Sequence, residues 1–232
     1  MSHRNEFDQP VGEPLLNWHP RQRPSKTPLQ GHYCSLVPLD LEQYSKALFD
    51  VLHDNPGESW TYLPYGPFAN PIEFHSWLVN NALGDDPFFY VILDPQAKQP
   101  LGLCSYLRID PLNSSIEVGH LNFSTQLKQS TAATEAMYLM MAYAFDELGY
   151  RRYEWKCNAL NEPSKRAAIR LGFQFEGIFR QSHVVKNRNR DTAWFSIIDK
   201  EWPALKIKFQ RWLDPNNFDR QGKQVIRLEE IA

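Results

Sequence analysis

Lys128, Gln129, Ser130, Thr131, Ala132 and Ala133 form a short polar turn that runs into the start of a helix, and Thr134 follows in its first turn. Backbone N–H groups at a helix N-terminus bind phosphate whatever the side chains, and the Ser130 and Thr131 hydroxyls could add donors. The same residues also read as a bare N-cap, with Thr134 and Glu135 in the first turn and no ligand. Asn161, Pro163 and Ser164 open a second, shorter helix, in a capping arrangement that would exist without any chemistry. Glu117 lies on the strand that feeds the turn, either as a functional carboxylate or as one more charge on a solvated face. Upstream, Trp60, Tyr62, Tyr65 and Phe68 stand between prolines and glycines in a loop over 56–71. They read either as core filler or as the wall of a substrate pocket. Metal chemistry has no footing, because the seven histidines are scattered without HExxH or another ligand spacing.

Periodicity supplies the elements that would position these residues. Apolar Met137, Met140, Met141, Ala144, Phe145 and Leu148 recur at intervals of three and four, which predicts a helix over 132–148. Alternation and β-branched or aromatic content predict strands over 116–123 and 152–158, and a short helix then closes at Gly172. Strand, helix, strand in that order implies a right-handed crossover between two roughly parallel strands. The crevice beyond their carboxyl ends, facing helix N-termini, suits a phosphate-bearing ligand. Before this unit come a polar, proline-rich arm over 1–30, a strand over 32–38, and a helix capped by Asp40 with Tyr44, Leu48 and Leu52 on one face. A helix over 71–82 and a hairpin of strands over 88–93 and 101–109 follow. After it come strands over 176–186 and 192–198, and an amphipathic helix over 201–213 bearing Trp202, Leu205, Phe209 and Trp212. That helix could be a dimer contact, a lid over a cleft, or part of the core.

The 232 residues suffice for one domain with a full core. A formal net charge of −2 gives no global reason to expect nucleic acid or an anionic membrane as partner. The basic stretch 186–190 reads as a soluble hairpin edge rather than an RNA contact. No run approaches the roughly 18 apolar residues of a membrane helix, and residues 1–6 hold no secretory signal. Cys34, Cys104 and Cys157 are isolated and odd in number, which favours free thiols, a reducing compartment and a cytoplasmic protein.

Ala133-Thr134-Glu135-Ala136 at the head of the long helix, Asn161-x-x-Ser164, Gly172-Phe173 and Glu176-Gly177 together resemble the GNAT superfamily of acyl-CoA-dependent N-acyltransferases. Within it, they resemble the RimJ/RimL-like branch that acetylates ribosomal-protein N-termini. The resemblance covers about 31–202 and implies an α/β fold, a mixed, splayed central β-sheet flanked by helices. The chain would then be a single domain over 31–200, with an N-terminal arm over 1–30 and a C-terminal helix and tail over 201–232.

The resemblance also implies acetyl-CoA as co-substrate, without metal, and a primary amine as acceptor. The turn Lys128–Ala133 would hold the pyrophosphate, although Lys stands for the family's Arg and Thr131 for its first Gly, and threonine resists a positive φ. Backbone groups around Leu121, Asn122 and Phe123 would meet the pantetheine arm and the thioester carbonyl. Asn161 would bond the cofactor arm. Ser164 would protonate the thiolate, since Ala168 stands where other branches place a tyrosine. An attacking α-amino group has a pKa of about 8 and needs a proton acceptor, for which Glu117 is the candidate. Arg166 and Arg170 would reach the 3′-phosphate or else form a solvated face, and Trp60, Tyr62 and Tyr65 would line the acceptor site. A protein N-terminus is the favoured acceptor. A small-amine enzyme of the antibiotic or polyamine type, or a non-catalytic acyl-CoA-binding protein, are the alternatives, and a homodimer is left open.

Overall fold

A computed structural model of the protein describes residues 3–53 and 57–231; Pro56 of the aromatic loop, Met1 and Ser2 of the arm, and Ala232 of the tail lie outside the described residues. Two short strands near the N-terminus, β1 (His3–Arg4) and β2 (Pro10–Val11), pair with each other alone. The remaining strands are β3 (Leu29–Gln30), β4 (Ser35–Pro38), β5 (Phe88–Leu93), β6 (Pro100–Asp110), β7 (Ser115–Phe123), β8 (Arg152–Asn158), β9 (Gln174–Val185) and β10 (Arg188–Ile198). They form one sheet in the order β3-β4-β5-β6-β7-β8-β10-β9. Every neighbouring pair in it is antiparallel except β7 and β8.

Burial explains the layers. Strand β5 reads FFYVIL and is buried along its whole length, because helices cover both faces of this half of the sheet. On one face lie α1 (Leu41–His53), which buries Tyr44, Leu48 and Leu52, and α2 (Pro71–Asn81), capped by Asn70 and burying Phe74 and Leu78. On the other lies α3 (Thr131–Ala142), extended by one wide π-turn over Tyr143–Glu147, with α5 (Trp202–Trp212) beside it. Between them in sequence, α4 (Glu162–Arg170) follows β8 and stops at Gly172, whose φ of +92° suits only glycine and whose missing side chain leaves room for Leu205 of α5.

The apolar stripe of α5 is spent inside the chain. Trp202 and Phe209 pack on Tyr138 of α3, with ring centroids 6.1 and 5.6 Å apart, and the Trp202 indole N–H donates to Asp146. The helix is therefore neither a lid over the acceptor side nor a dimer contact through that stripe. The arm is extended, as its prolines require, and follows the far end of the sheet. There the Arg21 N–H donates to the Pro111 carbonyl, the Arg23 guanidinium to the Ile109 carbonyl, and the Ser25 N–H to the Tyr143 hydroxyl. The tail returns through short 3-10 turns at Pro215–Asn217 and Leu228–Glu230 and buries Leu228 and Ile231 in the α3-side core. The strand expected over 32–38 is instead a hairpin, β3 with β4. Its turn is held by Glu135, whose carboxylate accepts from the N–H groups of His32, Tyr33 and Cys34 at 2.6–2.8 Å.

Candidate active site

Strands β7 and β8 run together for only four residues. Ser115, Ile116, Glu117 and Val118 pair with Arg152, Tyr153, Glu154 and Trp155, and beyond that point β8 continues against β10 alone. The β7 backbone from Gly119 to Asn122 therefore has no ladder partner on its β8 side among the described residues. Leu121 and Phe123 turn their side chains to the α3 side, and Asn122 pairs with Leu103 on the opposite face. Neither amide atom of the buried Asn122 side chain has a partner among the described residues. A gap edged by free strand groups and an unsatisfied amide demands an occupant that brings hydrogen bonds.

Two helix N-termini face this gap. Ser130 caps α3: its hydroxyl accepts from the Ala133 N–H at 3.1 Å and donates to the Leu127 carbonyl at 2.7 Å. The Ser130 hydroxyl is thus engaged in the cap. The N–H groups of Thr131 and Ala132 precede the first helical hydrogen bond and remain for an outside acceptor. The positive φ that threonine would resist falls two residues earlier, on Gln129 at +59°, while Thr131 is already helical. The Lys128 N–H is turned inward to the Ser124 carbonyl. Thr134 is buried and accepts from the Arg170 guanidinium at 3.1 Å. Arg170 also stacks over Trp212, so it is fixed beside the α3 N-terminus, whereas Arg166 is exposed. At the second N-terminus, Asn161 accepts from the Ser164 N–H, and the Ser164 hydroxyl accepts from the Trp155 indole at 3.0 Å and stands within hydrogen-bond reach of the Cys157 sulfur.

The opposite face of the gap is roofed by the aromatic loop. Trp60, Tyr65 and Phe68 pack with Phe74 and Trp77 as core, while the Tyr62 hydroxyl donates to the Leu160 carbonyl and Lys186 donates to the Trp60 carbonyl. The inner side of the loop is core filler, one of the two readings of its composition, and its rim is tied as a strap to the β8–α4 turn and the β9–β10 hairpin. Beneath it stands His120, a residue without any signal in the sequence. It sits at a bulge, where β7 residues Gly119 to Asn122 face β6 residues Leu103 to Ser105, with φ +52°. Its ring stacks on Tyr65, and its Nδ1 lies 3.0 Å from the Tyr65 hydroxyl. Burial, aided by the Arg108 charge, pulls its pKa down to about 4, so the ring is neutral near pH 7.

Glu117 is on this face too, buried rather than solvated. Arg108 donates to its Oε1 at 2.7 Å, and Lys156 Nζ lies 2.8 Å from its Oε2. Lys156 also contacts Glu154 at 2.7 Å and lies over the Trp194 ring. Burial pushes the Glu117 carboxyl above the usual range against the pull of Lys156 and Arg108. Sequence alternation showed only a lone acid; its cations come from two other strands.

The sequence profile of the acetyltransferase (GNAT) domain matches residues 35–174, the span that holds the opened strands and both helix N-termini. The chain belongs to the GNAT acetyltransferase family. Among solved structures, a GCN5-related N-acetyltransferase from Brucella melitensis is 46% identical, with a TM-score of 0.91 over 94% of this chain and 99% of that one. A probable acetyltransferase of the GNAT family from Chromobacterium violaceum is 41% identical, with a TM-score of 0.79 over 84% of this chain and 98% of that one. Of the curated proteins, the ribosomal-protein-serine acetyltransferase of Escherichia coli is 31% identical over 44% of this chain and 56% of its own length. The N-acetyltransferase p20 of Bacillus licheniformis is 28% identical over 49% of this chain and 63% of its own length. The chain thus spans less than two thirds of the length of the curated relatives that it matches. These relatives agree with a RimJ/RimL-like branch, and members of the GNAT family use acetyl-CoA as co-substrate. The residues present fit that molecule: two uncommitted N–H groups for a phosphate, a free strand edge for an amide-bearing arm, and no carboxylate of the family's turn, Lys128 to Ala133, to repel it.

Proposed function

We propose that this GNAT protein moves the acetyl group of acetyl-CoA to a primary amine by direct attack, and that the amine is the N-terminus of a protein or peptide. The observation that carries the reading is the parting of β7 from β8 at Val118 and Trp155, beside the N-termini of α3 and α4. In this reading the Thr131 and Ala132 N–H groups hold the pyrophosphate, and Arg170 supplies positive charge nearby. The β7 backbone from Leu121 to Phe123 bonds the pantetheine arm, as does Asn161. When bound, acetyl-CoA supplies the activated acyl carbon, and the chain's residues do the rest. Glu117 takes the amine proton through water, its basicity raised by burial, and Ser164 gives a proton to the departing thiolate. The strap residues Tyr62 and Tyr65, with Trp60 behind them, shape the acceptor approach. Among the side chains of the strap, Glu58 is the one carboxylate, which suits a singly charged amine better than a polycation.

Calorimetric titration with acetyl-CoA, followed by mass spectrometry of a panel of N-terminal peptides, polyamines and aminoglycosides, tests the reading. Binding that weakens about tenfold or more in Thr131→Trp, with acetylation of peptide N-termini, is the expected result. Acetylation confined to polyamines or aminoglycosides would overturn the acceptor, and absence of binding would overturn the whole.

A further inference from the structure

The acceptor face of the opening holds one polar side chain whose hydrogen bonding fixes its chemical form and leaves a donor unspent. Tyr65 is closed in by Trp77, Phe68 and Trp60, with the Trp77 ring 3.9 Å away, and His120 Nδ1 is the one partner of its hydroxyl among the described residues. A buried hydroxyl that cannot donate leaves its proton unsatisfied, so Tyr65 donates and Nδ1 accepts. The ring proton is then on Nε2. Nε2 has no partner among the described residues, and the imidazole stands two residues past the point where β7 leaves β8. The bulge and the positive φ of His120, a left-handed conformation uncommon outside glycine, hold it there. Glu117, the neighbouring acid on the same face, accepts from Arg108 through Oε1, and its Oε2 lies 2.8 Å from Lys156 Nζ.

We propose that His120, held as its Nε2–H form by Tyr65, donates a hydrogen bond to the acyl oxygen of the thioester and stabilises the oxyanion of the tetrahedral intermediate. The inference rests on the acetyl-transfer reading above and adds a side-chain donor to the backbone groups of β7. As the amine nitrogen bonds to the acyl carbon, the carbonyl π pair moves to oxygen, and Nε2–H meets the charge there. When the carbonyl re-forms, the C–S bond breaks and its pair leaves with sulfur. The surplus proton on nitrogen leaves through water to Glu117, and His120 neither gains nor loses one. Burial against Tyr65 of the strap and the apolar Phe89 of β5, with the charge of Arg108 on β6, sets the ring's charge, and Glu117 is the acid on the same face.

Nitrogen NMR of the intact protein labelled at histidine tests this without turnover, with the His120 signal assigned by its absence in His120→Gln. The Nε2–H form should persist from about pH 6 to about pH 9, and acetyl-CoA should shift Nε2 more than CoA, which lacks the carbonyl. A ring protonated on Nδ1, or equal responses to the two ligands, would overturn the proposal. Failure of acetyl-CoA to bind at all would overturn the acetyl-transfer reading with it. With any peptide that the protein acetylates, His120→Ala should lose about a hundredfold in kcat at an acetyl-CoA Kd changed by less than about threefold. His120→Gln, which keeps a donor but no base, should recover to within about tenfold; equal loss in both variants would make His120 a base and refute the donor role.

Discussion

A row of charges runs across the open face of the sheet, from Arg108 through Glu117, Lys156, Glu154 and Arg152 to Glu176, and each member is tied to the next within 2.8 Å. Lys156 is the pivot, nearly closed to solvent between two carboxylates, Glu117 and Glu154, that are themselves buried. Lys156→Met should cost about 1–3 kcal/mol in urea unfolding, because two buried like charges lose the cation they share and keep one partner each, Arg108 and Arg152, whereas exposed ion pairs such as Lys46–Asp50 are worth under about 1 kcal/mol. At the exposed end of the row the Arg152 guanidinium, with help from the Ser196 hydroxyl, holds the Glu176 carboxyl down at about 2. A depressed carboxyl stabilises the fold above its unfolded pKa of about 4.5 and loses that contribution as pH falls toward 2. Glu176 is 39% exposed, so solvent screening leaves on the order of 1 kcal/mol. The melting temperature should therefore drop between about pH 4.5 and pH 2, and Glu176→Gln should flatten that drop. His120 adds a window of its own: its folded pKa of about 4 lies below the ordinary 6.5, so the unfolded chain binds the extra proton between them and stability falls as the solution is acidified through that range. His120→Gln should remove that slope between about pH 6.5 and pH 4, as read by denaturant midpoints.

Elements were the part of the molecule most legible from residue order. The strand–helix–strand–helix run from Ser115 to Arg170 is present as expected, with α4 opening at Asn161 and closing at Gly172, because caps and glycine stops act within one turn of chain. What pairs across long separations was not legible. The β3–β4 hairpin depends on Glu135, about a hundred residues downstream of the three N–H groups that it accepts, and Gly31 must lack a side chain so that this carboxylate can enter. Local spacing carries no trace of such a contact. Glu135→Ala should thus detach the sheet edge from α3 and cost about 2–4 kcal/mol, since three backbone donors, the Cys34 N–H buried among them, lose one charged acceptor. Chemical denaturation would show the loss, and hydrogen exchange should place the added opening at residues 32–34 before the rest of the sheet. The phosphate turn teaches the same lesson at shorter range. Its sequence departs from the family pattern at Thr131, yet the left-handed residue is Gln129, so the departure and the required geometry fall on different positions.

At the scale of the whole molecule, amphipathicity reveals that a face will be covered but not by what. Helix α5 illustrates this, since dimer contact, lid and core packing all predict the same stripe of Trp202, Leu205, Phe209 and Trp212. The fold chooses core: α5 lies on α3, and the tail crosses over it. Trp212 meets Phe218 at 5.2 Å, and Asn217 bonds both the Trp212 and Ile226 carbonyls. Arg170 stacks on Trp212 while bonding Thr134 in the first turn of α3, so the last helix also braces the cofactor end of the site. Full burial of a large apolar side chain is worth about 1.5–3 kcal/mol, so losing Trp202, Phe209 and Trp212 together forfeits roughly 5–9 kcal/mol, about the entire stability of an ordinary domain. A chain ended at Asp199 should accordingly fail to fold, with lost near-ultraviolet dichroism and aggregation on sedimentation. A truncated chain that stays folded while shifting from dimer to monomer would instead show that α5 serves association, and its packing on α3 would be dispensable.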